Sequence, residues 1–154
     1  MKLTPKYSLE ALYVSPFTKR LSFDEKELKT VYVPLEKTRL RTGLEVVDMV
    51  VDKLVAYQDP ADLPWQLGMK PAQMSTSLKV LTGLSLIEFR TRWRAKVAGE
   101  LLRYTELPLV EVMRYCGYTS AQSFSRFIRN AYGMAPQHYR RQCRAQGDIG
   151  KYAL

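Results

Sequence analysis

Residues 117–133 read GYTSAQSFSRFIRNAYG, opening on one glycine and closing on another. Between them Phe124, Phe127, Ile128, Ala131 and Tyr132 recur at the three-and-four spacing of a helix's buried stripe. Ala121, Gln122, Ser125, Arg126 and Arg129 fall on the opposite face and project together away from the core. Thr119 or Ser120 can cap the start of this helix, and Gly133 ends it.

Just upstream, Leu109, Val112, Met113 and Cys116 recur at i, i+3, i+4 and i+7, and Pro108 suits a first helical position because its missing N–H has no partner to lose. Two helices joined by a three- or four-residue turn with glycine form the helix-turn-helix pattern, whose second helix lies in the DNA major groove. The outward face carries chemistry for that role. Glutamine matches the paired donor and acceptor of adenine, arginine the two acceptors of guanine, and either can hold phosphate. On an isolated helix such a face would be ordinary solvated surface.

A second copy of the pattern reverses that reading. Met74, Leu78, Leu81, Gly83 and Phe89 match Phe124, Ile128, Ala131, Gly133 and Tyr139, each fifty positions on, while Leu63, Leu67 and Gly68 match Val112, Cys116 and Gly117 at forty-nine. The downstream turn is one residue longer. Between the copies, Ser85 and Glu88 form a capping box, and Leu86, Phe89, Trp93, Val97, Ala98, Leu101 and Leu102 continue one apolar stripe. This long helix, about 28 Å at about 1.5 Å per residue, suits a spacer between two readers, and its Arg90, Arg92, Arg94 and Lys96 are spread around it as mostly solvated charge.

The chain has 154 residues, 46% of them apolar, enough for one domain with an extension. A net charge of +9 favours a polyanionic partner. That charge is uneven: residues 44–89 hold three Lys/Arg against six Asp/Glu, and residues 90–146 hold eleven against three. No apolar run approaches the roughly 18–20 residues that span a bilayer, and the N-terminus has no signal-peptide core, so a cytoplasmic protein with no membrane partner is expected. Cys116 and Cys143 stand apart and read as reduced packing residues. His138, the single histidine, has no companion ligands, so no metal and no cofactor is expected.

From about Leu44 to Arg144 the chain resembles the DNA-binding domain of the AraC/XylS family of bacterial transcription regulators. Leu109, Glu111, Val112, Gly117, Tyr118, Phe124, Arg126, Ile128, Arg129, Gly133, Pro136, Tyr139 and Arg140 occupy the landmarks of the family signature. Arg94, Ala98, Leu101 and Leu102 likewise match the family's linker helix. The resemblance implies an all-α, seven-helix tandem helix-turn-helix domain that inserts two recognition helices into adjacent major-groove segments of promoter DNA. It implies DNA-binding roles for Ala121, Gln122, Ser125 and Arg126, with Arg129 toward phosphate, and for Ala72, Ser75, Thr76 and Lys79 in the first unit. The first helix would be Leu44–Tyr57, with Val47, Val50, Val51 and Leu54 inward and a capping box from Thr42 and Glu45.

The expected organisation is an N-terminal extension over 1–42, a DNA-binding domain over 43–146 and a tail over 147–154. Within the domain, the first helix-turn-helix falls at about 61–83, the linker helix at about 85–104 and the second helix-turn-helix at about 108–133. Three departures from the family pattern are visible. Pro64 limits the first reader's leading helix to a short turn, Thr76 stands where the second unit has Arg126, and Met113 replaces the usual alanine.

In the extension, ALYV and TVYV suit short strands, and Ser22 with Glu25 suits a capped helical turn. Three readings stand open: an ordered arm, a strand pair for dimerisation, or the remnant of a sensor domain. The segment is too short to wall a ligand pocket, so no small-molecule effector site is assigned.

No phosphate-cradling glycine loop, activated nucleophile or metal cluster supports an enzyme, and no catalytic residue is assigned. Double-stranded DNA is the expected partner, with RNA polymerase and a second copy of the chain as further candidates. The alternative reading is a protein-binding module that tethers or blocks the transcription machinery with only weak DNA binding, using the surface around Leu63–Leu67. Trp65 itself is expected to be half-buried packing.

Overall fold

A computed structural model describes residues 5–154; the first four positions of the expected extension lie outside the described residues. Two compact units emerge, one from the described residues up to Val14 with Thr38–Arg94, the other from Ser15–Lys37 with Ala95–Leu154. The residues of the extension are therefore shared between them.

In the first unit, α1 (Leu9–Leu12) starts where the Ser8 hydroxyl accepts the Ala11 N–H at 3.1 Å, and it buries Leu9 and Leu12. The ALYV strand expectation fails here because this local cap and two inward leucines outweigh the strand propensity of Tyr13 and Val14. Tyr7 N–H reaches the Leu81 carbonyl at 3.0 Å. Tyr13 meets Trp93 edge-on at 5.0 Å. Helix α2 (Glu45–Val55) turns Val47, Val50, Val51 and Leu54 inward, as its spacing predicts.

The expected Thr42–Glu45 box does not form. Buried Asp48 takes its place, accepting from Thr42 N–H and Oγ1 at 2.9 Å each and from Gly43 N–H at 3.2 Å. Burial raises the Asp48 pKa, but these hydrogen bonds and the Arg39 charge outweigh it and hold the carboxyl below the usual range.

A 3₁₀ turn at Pro60–Asp62 leads into α3 (Leu63–Gln66), only four residues long with Pro64 in its first turn. After Gly68 comes α4 (Pro71–Thr82), which buries Met74, Leu78 and Thr82. It ends on Gly83 at φ +77°, where a Cβ would also lie 2.8 Å from Pro5 Cγ.

Helix α5 (Leu86–Tyr104) contributes its first half to one unit and its second half to the other. Its capping box is present: Ser85 N–H donates to Glu88 Oε1 at 3.3 Å, and Glu88 N–H to Ser85 Oγ at 3.2 Å.

The second unit holds a three-stranded antiparallel sheet in the order β2-β1-β3, from β1 (Lys19–Asp24), β2 (Lys29–Pro34) and the short β3 (Tyr152–Ala153). Leu21 faces Tyr32, and Lys19 faces Ala153 across the other edge. Ser22 thus lies in a strand rather than capping a turn; the capping is done by Asp24, whose carboxylate accepts Lys26 N–H at 2.9 Å in the hairpin. Phe17 stacks on Tyr152 at 5.6 Å and meets Tyr104 edge-on at 5.7 Å.

Three helices follow: α6 (Leu109–Tyr115), α7 (Ala121–Tyr132) and α8 (Pro136–Ala145). They bury Val112, Phe124, Phe127, Ile128 and Cys143 with Val97, Ala98, Leu101 and Leu102 of α5. Pro108 is the N-cap of α6 rather than its first helical residue. Ala131, expected in the stripe, is exposed, since the larger side chains beside it fill the interface. Arg140 is buried and donates to the Leu102 carbonyl at 3.3 Å and the Leu107 carbonyl at 2.7 Å, pinning the loop after α5. Among the described residues the fold is thus mostly helical, with eight α-helices rather than seven, α1 of the extension being the additional one, and a small antiparallel sheet built largely on the extension.

Candidate nucleic-acid interface

The second helix-turn-helix is shaped by its aromatic side. Ser120 Oγ accepts the Ser123 N–H at 3.4 Å, starting α7 one turn after Gly117, whose φ of +78° a side chain would resist. Tyr118 covers Phe127 at 4.8 Å and Phe124 at 6.0 Å. Phe124 is 3% exposed and Ile128 fully buried. With that side locked inward, the other side of α7 turns out.

Ala121, Gln122, Arg126 and Arg129 are exposed and Ser125 is half-buried, and all five line one shallow groove. Asn130 lines it too and was missed by sequence reading, although it sits one helical turn after Arg126 on the same ridge. The arginines differ from their neighbours in pairing. Arg114 is tied to Glu111 at 2.8 Å, Arg144 to Glu106 at 3.0 Å and Arg103 to Asp148 at 2.7 Å. Among the described residues no carboxylate lies within ion-pair distance of Arg126 or Arg129. Two unneutralised guanidiniums beside a glutamine suit bidentate recognition of base edges or phosphate.

In the first unit Ala72, Thr76 and Lys79 are exposed on α4. Ser75 is half-buried, and its hydroxyl is engaged, accepting Leu86 N–H at 3.5 Å. Lys79 is the single basic residue of α4, and Glu88 stands near enough for the ammonium to stabilise its carboxylate. Trp65, expected to be packed, is 88% exposed: α3 is one turn long, and that turn gives its inward positions to Leu63 and Pro64.

Cys116 and Cys143 are buried and lie outside any disulfide among the described residues. Among the described residues no three His, Cys, Asp or Glu side chains cluster as metal ligands, and no helix is long and apolar enough to cross a membrane.

Comparison with known proteins places this architecture. A helix-turn-helix domain family matches residues 65–142, just over half of the chain. The arabinose operon regulatory protein of Salmonella typhimurium is 24% identical over 116 residues, covering 75% of this chain and 40% of that protein. The transcriptional activator RhaS of Escherichia coli O157:H7 is 25% identical over 114 residues, covering 69% and 41%. The chain thus spans about two fifths of the length of these curated relatives. Among solved structures, the C-terminal domain of AraT, a response regulator from Geobacillus stearothermophilus, superposes with a TM-score of 0.57 at 29% identity, over 68% of this chain and 88% of that one.

Two helix-turn-helix units, with the long helix α5 between them in the chain, define a protein of the helix-turn-helix class. The chain belongs to the AraC/XylS family.

Proposed function

We propose that this chain is a sequence-specific DNA-binding regulator whose second helix-turn-helix does most of the binding. Gln122, Ser125 and Arg126, with Ala121 leaving room for close approach, meet base edges, and Arg129 meets phosphate. The first unit, through Ala72, Ser75, Thr76 and Lys79, enters an adjacent major-groove segment and contributes shape fit more than binding energy. The observation that carries this reading is the pair of unneutralised arginines on an outward ridge whose opposite face is locked by Phe124 and Ile128. The charge difference supports it: residues 44–89 carry net −3 (3 − 6) and residues 90–146 net +8 (11 − 3). Each phosphate neutralised releases condensed counterions, so an acidic segment is a poor primary anchor.

Selection from a random duplex pool tests the proposal. The expected result is an enriched motif bound with an affinity that falls steeply as salt rises, with a slope of about 0.9 per phosphate contact. No enriched motif, or a flat salt dependence, overturns it in favour of a second reading. That reading, a protein-docking module, is favoured by the bare indole of Trp65 in an acidic unit.

A further inference from the structure

We infer that Glu88 limits the first unit's affinity for DNA: its carboxylate, fixed at the start of α5 beside the first recognition helix, offsets the charge of Lys79. The inference rests on the DNA-binding reading above.

Its position is set by backbone and side-chain contacts. The Ser85–Glu88 capping box holds Glu88 in the first turn of α5, and the Ser75 hydroxyl, reached by Leu86 N–H at 3.5 Å, brings that turn against α4. Hydrogen bonds with Ser85 lower the carboxyl pKa, and the Lys79 and Arg92 charges act in the same direction, so Glu88 is an anion at neutral pH. Lys79 is the only basic residue within α4. A carboxylate beside it offsets part of the positive charge that Lys79 and Arg92 would otherwise offer a phosphate.

The repeat supplies the contrast. Fifty positions on, Lys79 corresponds to Arg129 and Glu88 to His138, and the first turn of α8, where His138 lies, contains no acidic residue. The same architecture therefore carries an anion beside one recognition helix and none at the matching place beside the other. Capping alone does not account for the charge, because a neutral glutamine offers the same acceptor to Ser85 N–H.

The test is Glu88→Gln in the full chain, titrated against the duplex selected by the wild-type protein over a range of salt. Affinity should rise roughly three- to tenfold, and the slope of log affinity against log salt should steepen by about one unit. Lys79→Ala should shrink that gain, and Glu45→Gln, which removes an exposed carboxylate from α2, should not reproduce it. An unchanged Glu88→Gln affinity overturns the inference, as does a full gain in the Lys79→Ala background or an equal gain from Glu45→Gln. Arg126→Ala, measured on the same duplex, separates the two levels. If it weakens binding while Glu88→Gln changes nothing, only this inference fails; if neither matters, the DNA-binding reading fails with it. Because the expected effect is a gain, partial unfolding cannot imitate it.

Discussion

The two helix-turn-helix units follow one order of elements and present different surfaces. The second helix of each is twelve residues long and ends on a glycine, at φ +77° for Gly83 and +76° for Gly133. Met74 and Phe124 occupy equivalent buried places, as do Leu78 and Ile128. Outward the copies agree at Ser75 and Ser125 and in the charge of Lys79 and Arg129, and diverge elsewhere: Thr76 stands against Arg126, exposed Val80 against Asn130, and Glu88 against His138. The leading helices differ too, four residues in α3 against seven in α6, because Pro64 confines α3 to one turn. Burial constrains the inward positions in both copies, while packing leaves the outward ones free to diverge.

That comparison can be broken at several points. The largest effect is expected where the copies agree. Leu78→Ala and Ile128→Ala, both at fully buried positions, should each destabilise by about 2–5 kcal/mol in thermal or denaturant unfolding. A loss confined to one of them would show that the two cores are not equivalent.

Next comes the outward difference. Arg126→Ala should weaken binding of the selected duplex by about 1–3 kcal/mol, roughly tenfold or more, whereas Thr76→Ala should change it less than threefold. Equal losses would remove the asymmetry.

An effect of comparable size separates the buried carboxylates, Asp48 in the first unit and Asp148 in the second. Asp48 is held below the usual range by Thr42, Gly43 and Arg39 against the effect of burial, and Asp148 by Lys151 and Arg103. A depressed folded pKa gives stability that is complete above the unfolded value of about 3.9 and is lost as pH falls through the folded one. Asp48→Asn should therefore cost about 1–3 kcal/mol at neutral pH and flatten part of the acid-unfolding limb, leaving the part due to Asp148. An unaltered acid limb would show that Asp48 does not contribute to it.

The smallest effect is Trp65→Ala. At 88% exposure it should shift stability by no more than about 0.5 kcal/mol, and calorimetry showing a larger loss would mean that the indole packs.

What the sequence made legible was the periodic part. Phe124, Phe127 and Ile128 are large, recur at i, i+3 and i+4 and lie between glycines, so their burial and the helix between Gly117 and Gly133 could be read directly. The Ser85–Glu88 box was equally local. The expectations that failed depended on competition or distance. Asp48 captured the donors of Thr42 and Gly43 from six and five residues away, which no capping pattern signals. Tyr152–Ala153 pairs with Lys19–Arg20 across most of the chain, and two residues carry no period of their own. Ala131 is too small to declare its side of a helix, and Trp65 followed the geometry forced by Pro64 rather than its own hydrophobicity. On the outward ridge, Arg126 and Gln122 could be placed by spacing, but that no carboxylate of the described residues lies within ion-pair distance of Arg126 depends on neighbours that only tertiary structure supplies.

The pairing of β1 with β3 also orders events during synthesis. Strand β1 leaves the ribosome early and waits for residues 152–153, so the helices of the second unit can collapse while one edge of the hairpin is still unmatched. A nascent chain stalled before Tyr152 would leave the Lys19–Arg20 end of that edge without its partner strand.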